Sequence, residues 1–121
     1  MATEICNKLI HEPWISYSNA SKIPHVGGIY VIGIRRPRLR AIQYLYLGQS
    51  NDVHRRLQDH KYGRQDIDAF IRRNYRRNGG RDLRVKWINE PRHQLTEGRY
   101  IRCMEQLLGY ELEYNRNGGN N

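Results

Sequence analysis

The alternation of apolar and polar positions along the chain predicts three strands. Residues 29–34 and 42–47 are β-branched, aromatic or otherwise apolar at nearly every position, and residues 83–87 alternate apolar with basic side chains. The first run is typical of a central strand that is apolar on both faces, and the last of a strand with one covered face. Gly48 ends the second strand in this interpretation. Residues 35–40 include a proline and predict an exposed hairpin loop.

Three amphipathic stretches predict helices, because their apolar residues recur at helical spacing. They cover residues 50–61, 65–78 and 96–114. The first 26 residues hold two prolines and predict an irregular arm that packs Trp14 against the body. The order strand, strand, helix, helix, strand, helix therefore indicates one small α/β domain with a three-stranded sheet.

The charge of the chain is concentrated in one block. The formal net charge is +9, from 21 basic and 12 acidic residues among 121. Residues 35–84 hold 14 of the basic residues and five aspartates, so they carry the whole excess. Arginine supplies 17 of the 21 cations, and its planar fork suits phosphate recognition. This composition predicts a polyanion binder, and the alternative is a basic surface that serves only solubility.

The cysteines and the hydropathy bear on location. No apolar run approaches the length of a membrane span, and the first residues lack the form of a secretory signal. Cys6 and Cys103 lie 97 positions apart, without a second cysteine or a histidine at zinc-site spacing. We therefore expect a soluble intracellular protein, cytoplasmic or nuclear, with two free thiols. A structural disulfide is the alternative.

Five side chains are candidates for chemistry. Glu105 lies at the edge of the third helix's apolar stripe, where a carboxylate needs an arginine, a metal ion or a proton. Tyr30 and Tyr46 lie centrally in two strands that should pair, either as core tyrosines or as a hydroxyl pair near a phosphate site. Arg56 and His60 share one helix face and supply the cationic surroundings that a phenolate requires, although His60 also fits an ordinary helix border. Motifs of proteases, kinases and nucleotide hydrolases are absent from the sequence.

An ordered set of motifs connects these residues. It consists of Gly28-Ile29-Tyr30, Tyr46-Leu47-Gly48, an arginine eight residues after that glycine, Met104-Glu105-Gln106-Leu107 and an asparagine-containing end. Over residues 24–117 this set resembles the GIY-YIG nuclease family. The resemblance implies a three-stranded antiparallel sheet flanked by helices. It also implies a DNA endonuclease that uses one Mg²⁺ or Mn²⁺ ion per active site.

The resemblance further implies a role for each site residue. Glu105 would be the metal ligand and Tyr30 would help to activate the attacking water, with His60 assisting it. Tyr46 would orient water or phosphate, and Arg56 would hold the scissile phosphate. The family's bracing asparagine corresponds to Asn115 by its local pattern or to Asn117 by its distance from the glutamate.

The expected reaction leaves a 5′-phosphate and a 3′-hydroxyl at a selected site or DNA structure. The expected partner is DNA, with RNA not excluded and no membrane, and the chain would act as a monomer or a transient homodimer. The predicted DNA-binding residues are Arg38, Arg40, Lys61, Arg64, Arg72, Arg73, Arg76 and Arg77. The alternative function is a non-catalytic nucleic-acid binder with the same fold. The sequence departs from the family pattern in having Leu47 within the second motif and a long interval of 15 residues between the motifs.

Overall fold

A computed structural model of the chain describes residues 4–38 and 41–115. Within these ranges, four strands and five helices follow one another. They are α1 (Asn7–His11), β1 (Ile15–Ser16), a 3₁₀ helix (Tyr17–Lys22), β2 (Gly28–Arg35), β3 (Ile42–Ser50), α2 (Val53–Asp59), α3 (Asp66–Asn78), β4 (Leu83–Asn89) and α4 (His93–Leu108). None of the helices in the described ranges is long and apolar enough to cross a bilayer.

The strands form one antiparallel sheet in the order β1, β4, β2, β3. The predicted α/β class is confirmed, and the three predicted strands are present as β2, β3 and β4. The predicted strand number is too low for the described residues, because β1 pairs Ile15 with Val85 and adds a fourth strand. Nor does β3 end at Gly48, since the ladder continues through Gly48 opposite Tyr30 and runs to Ser50.

The N-terminal segment is not the irregular arm that the sequence predicted. It forms α1, β1 and the 3₁₀ helix, and a Cys6–Cys103 disulfide joins the start of α1 to α4. The expectation of two free thiols is therefore wrong. Because disulfides are rare in reducing compartments, the cysteines no longer support an intracellular location. Trp14 does pack against the body, edge-on to Tyr44 with ring centroids 4.8 Å apart.

Helices cover both faces of the sheet. One face packs against α2, α3 and the 3₁₀ helix, and we call it the α2/α3 face. The other packs against α1 and α4, and we call it the α1/α4 face. The prediction that β4 has only one covered face is wrong, because Lys86 of that strand is 2% exposed beneath α1.

Side-chain caps set the starts of the two α-helices on the α2/α3 face. Asp52 caps α2 by accepting the Arg55 backbone N–H at 3.0 Å, and the helix ends at Asp59, two residues before the predicted end. Gln65 and Asp68 form a capping box at the start of α3.

The third predicted helix corresponds to α4. It begins three residues earlier than predicted, at His93, and ends at Leu108 rather than near Tyr114. Gly109 follows with φ 81°, a left-handed conformation that suits glycine. The earlier start adds one turn and brings residues before Thr96 into the helix.

Candidate active site

Two tyrosines of the paired strands lie together on the α2/α3 face. Tyr30 of β2 lies opposite Gly48 of β3, and the rings of Tyr30 and Tyr46 have centroids 6.3 Å apart. A Cβ added at Gly48 would lie 2.4 Å from the Tyr30 hydroxyl oxygen and 2.9 Å from the Tyr46 ring. The glycine of the second motif therefore makes room for the tyrosine of the first.

A buried histidine joins Tyr30 to an aspartate of α3. His60, at the C-cap of α2, has Nε2 2.6 Å from the Tyr30 hydroxyl oxygen, and its Nδ1 lies 2.5 Å from Asp68 Oδ1. Tyr30 and His60 are fully buried, and Asp68 is 1% exposed. Asp68 also accepts the Gln65 backbone N–H through its second oxygen, Oδ2, at 2.9 Å. His60 is therefore the centre of a linear buried network and not an ordinary helix-border residue.

Burial sets the resting protonation of these groups. It raises the pKa of Tyr30 well above the usual tyrosine value and also raises the pKa of Tyr46, while Arg56 acts in the opposite direction on both. Burial lowers the pKa of His60 more than the Asp68 carboxylate raises it. Burial alone would raise the pKa of Asp68, but the hydrogen bonds from His60 and the Gln65 N–H, together with the charge of Arg56, act in the opposite direction, so that this pKa is lowered. At neutral pH the phenols are thus protonated, the imidazole is neutral and the carboxylate is ionised.

Arg56 is the cation that reaches this network. Its side chain is half-buried, donates to Gln65 Oε1 at 3.2 Å and acts electrostatically on both Tyr30 and Tyr46. Arg55 is exposed and pairs with Asp59 across one helical turn at 3.7 Å. The expectation that Arg56 and His60 share a helix face is therefore confirmed, and Arg55 lies on the exposed side of the same helix.

The carboxylate that acts on the two tyrosines belongs to Glu97 of α4, which the sequence pattern did not single out. The charge of Glu97 raises the pKa of both Tyr30 and Tyr46, and burial raises the pKa of Glu97 itself. Its carboxylate makes no hydrogen bond or ion pair with any residue that the structure describes. Glu105, two turns further along α4, accepts the Leu112 backbone N–H at 2.8 Å. Glu105 thus binds the backbone of the segment that follows α4, and its role as a metal ligand stays a prediction.

Glu97 and Glu105 differ in whether their carboxylates already have a protein partner. No group of three or more His, Cys, Asp or Glu side chains in the described ranges is placed to hold a metal ion. Mg²⁺, however, usually keeps several waters and binds through one or two carboxylates together with substrate phosphates. A half-buried carboxylate that has no hydrogen bond or ion pair within the described residues is a donor of that kind.

Asn115 braces the strand that carries Tyr46. Its side chain accepts the Leu47 N–H at 2.7 Å and donates to the Leu47 carbonyl at 2.8 Å, and it is 9% exposed. The Tyr114 N–H donates to the Leu45 carbonyl in the same way. These bonds cover the otherwise unpaired edge of β3 and fix the backbone on both sides of Tyr46. Asn117, the other candidate, lies outside the described residues.

Five of the predicted DNA-binding residues line cavities along α3, and we call this region the α3 surface: Lys61, Arg72, Arg73, Arg76 and Arg77. Arg38, Arg64, Arg73, Arg76 and Arg77 are exposed, Lys61 and Arg72 are half-buried, and Arg40 lies outside the described residues. Two cavities open on this surface. One, of about 470 Å³, is lined by Arg36, Phe70, Arg73, Asn74, Arg76 and Arg77, and the other, of about 320 Å³, by Lys61, Arg72, Tyr75 and Arg76.

The two tyrosines differ in access. Tyr30 has no exposed surface, being enclosed by His60, Tyr46 and Gly48, whereas Tyr46 is 7% exposed. Of the two tyrosines, only Tyr46 therefore has any surface in contact with solvent. The predicted role of Tyr30 in activating water then requires its effect to pass through Tyr46.

Comparison of the chain with family models, with curated proteins and with solved structures found no match. The relation to GIY-YIG nucleases therefore remains a resemblance carried by the residues described above.

Proposed function

We propose that this protein is a Mg²⁺-dependent DNA endonuclease that cleaves a phosphodiester bond to a 5′-phosphate and a 3′-hydroxyl. The single observation that carries the proposal is the assembly of Tyr30, Tyr46, Arg56 and His60, whose two tyrosines also feel the charge of Glu97, a carboxylate without a hydrogen bond or ion pair within the described residues. These residues come from β2, β3, α2 and α4. A binding surface needs arginines, but it has no use for a half-buried carboxylate held without a partner.

Arg56 would bind the scissile phosphate. Its guanidinium donates to a neutral amide, Gln65, rather than to a carboxylate, and its charge lowers the pKa of Tyr46 against the effect of burial. Its positive charge therefore remains available to a phosphate and to the negative charge that develops on it during hydrolysis. Tyr46, the outer hydroxyl, would orient the attacking water.

Glu97 would hold the metal ion through its carboxylate, with the remaining positions taken by water and by phosphate oxygens. When bound, the ion supplies Lewis-acid activation of the phosphate and lowers the pKa of a water molecule. Occupation of this position would also compensate the burial that raises the pKa of Glu97.

The substrate backbone would continue from Arg56 along the α3 surface. The arginines of that helix follow one another over about one and a half turns, and the exposed ring of Tyr62 lies between Lys61 and Arg64 in the sequence. Cations interleaved with aromatic rings suit a nucleic-acid backbone and its bases. The proposed partner is accordingly DNA at a selected site or structure, bound by a monomer or a transient homodimer.

Plasmid cleavage tests the proposal. Supercoiled DNA is incubated with the protein in Mg²⁺ or in EDTA, and Arg56→Ala is compared with Arg55→Ala, its exposed neighbour. We expect metal-dependent nicking that Arg56→Ala lowers by about 10²- to 10³-fold and Arg55→Ala leaves nearly unchanged. If the wild type retards DNA on a gel but leaves it intact across metals and salt concentrations, the non-catalytic binder is the correct function.

A further inference from the structure

Asp68 is a buried carboxylate at the start of α3. Its two carboxylate oxygens face two different groups, the Nδ1 atom of His60 and the backbone N–H of Gln65. A backbone N–H can only donate, and an ionised carboxylate can only accept. The Nδ1 atom of His60 must therefore carry the proton that it shares with Asp68, which leaves Nε2 with a lone pair toward the Tyr30 hydroxyl.

We propose that Asp68 is a positioning residue that holds His60 in the Nδ1–H tautomer, so that Nε2 accepts the Tyr30 proton during DNA hydrolysis. This inference rests on the proposed function. It extends the active site to α3, which supplies none of the residues that the motifs identified.

The proton path follows from the order of the groups and their access. The attacking water forms a bond to phosphorus as the P–O3′ bond breaks, and O3′ takes a proton from solvent. The water gives its proton to Tyr46, the less buried of the two tyrosines, as Tyr46 passes its own proton to Tyr30 and Tyr30 passes its proton to His60 Nε2. The Nδ1–H bond stays with His60, and its hydrogen bond to the Asp68 carboxylate strengthens as the ring becomes positive.

The charged groups around His60 are compatible with proton transfer from Tyr30 to its imidazole. Asp68 and Asp59 favour the imidazolium, while Arg56 and burial oppose it. A ring that is neutral at rest, with one carboxylate in hydrogen-bond contact, can take up a proton in the transition state without leaving the buried charge unpaired.

The glycine before α3 makes room for Asp68. A Cβ added at Gly63 would lie 2.1 Å from Asp68 Oδ2, and Gly63 has no positive φ that would by itself exclude alanine. Gly63→Ala therefore displaces the carboxylate without changing its charge. Gly98→Ala is the matched control, because a Cβ at Gly98 meets only Arg102 Nη1, at 3.5 Å.

The main test substitutes Asp68→Asn. The amide oxygen would face the Gln65 N–H, so that the amide NH₂ donates to His60 Nδ1 and drives the proton to Nε2. We expect ¹⁵N NMR to show Nδ1–H in the wild type and Nε2–H in Asp68→Asn, with circular dichroism unchanged. We expect kcat for plasmid nicking to fall about 10²- to 10⁴-fold with little change in KM. Gly63→Ala should lower kcat more than Gly98→Ala does.

The tautomer measurement decides whether Asp68 sets the state of His60, whether or not the chain cleaves DNA. A wild-type ring protonated at Nε2 would overturn the inference. Inversion of the tautomer in Asp68→Asn without loss of kcat would also overturn it, by showing that the tautomer has no part in hydrolysis. Absence of nicking by the wild type would instead contradict the proposed function.

Discussion

The two faces of the sheet each bury a titratable side chain beside a tyrosine, but the two side chains have different kinds of hydrogen-bond partner. On the α1/α4 face, Lys86 donates to the Ile10 carbonyl at 2.9 Å and to the Tyr44 hydroxyl at 2.6 Å, and it lies 4.5 Å from the centroid of the Trp14 ring. On the α2/α3 face, His60 has a proton donor on one side and a carboxylate on the other.

The difference distinguishes a structural polar network from a chemical one. The ammonium of Lys86 is bound by acceptors and rings, and no change of protonation is needed to satisfy it. The imidazole of His60 can take up a proton from one neighbour while the other stabilises the product. Hydrogen-bond partners that suit only one protonation state of a buried side chain stabilise the fold. Partners that suit both protonation states also permit proton transfer. Variants of Lys86 and of the Cys6–Cys103 bridge on the α1/α4 face should therefore change stability, and variants of the His60 network on the α2/α3 face should change activity.

Removal of the disulfide is the largest expected effect on the α1/α4 face. The Cys6–Cys103 bridge spans 97 positions and ties α1 to α4. Loss of a bridge of this kind typically lowers the free energy of unfolding by about 2–5 kcal/mol. Cys6→Ser with Cys103→Ser should show this loss in denaturant unfolding, while the cleavage rate below the melting transition stays close to that of the wild type. A large loss of cleavage rate in the folded variant would show that the α1/α4 face also contributes to activity, and would contradict this prediction.

Lys86 should produce a smaller effect that depends on pH. Burial lowers its pKa to about 8 from 10.5, so between these values the unfolded chain binds a proton that the folded chain does not. The contribution of Lys86 to stability therefore rises with pH across this window, by up to about 3 kcal/mol. The difference in unfolding free energy between the wild type and Lys86→Met, measured at pH 7 and at pH 10, should change in that direction. An unchanged difference would show that Lys86 titrates normally.

The α3 surface should give the smallest effect, on affinity alone. Arg76 is exposed and lines both cavities of this surface, and Arg102 of α4 is an exposed arginine away from it. Arg76→Ala should weaken DNA binding and reduce the slope of log K against log salt by about 0.9 for each phosphate that the variant no longer neutralises. Arg102→Ala should leave the slope as it is. Equal slopes for both variants and the wild type would remove α3 from the interface.

Most of the sheet and helices could be predicted, because each depends on local patterning. Strand β1 could not, since a run of two residues carries no period and depends on a partner in β4. The disulfide likewise depends on α1 and α4 meeting across 97 positions, which spacing alone does not reveal.

The candidate site was predicted in part for similar reasons. Tyr30, Tyr46, Arg56 and His60 lie in motifs or on one helix face, and the structure brings them together. The sequence could have placed Asp68 on the buried side of α3, three positions before Ile71. It could not predict the contact with His60, because that residue belongs to another helix.

Glu97 was missed because the predicted helix began too late. With α4 starting at His93, Glu97 lies one turn after His93 and seven positions before Met104, within the buried stripe. A start at Thr96 placed it in the first turn, where an acidic residue is expected for the helix dipole alone. The family pattern instead favoured Glu105, whose local motif is the better match.

The most direct test of the proposed site compares two glutamates of one helix. Plasmid nicking in Mg²⁺ is measured for Glu97→Ala and Glu105→Ala, with gel retardation in EDTA as the binding control. We predict that Glu97→Ala lowers the nicking rate by about 10²-fold or more while DNA binding persists, and that Glu105→Ala keeps most of the rate. Loss of nicking in Glu105→Ala with full activity in Glu97→Ala would contradict this assignment of the metal ligand.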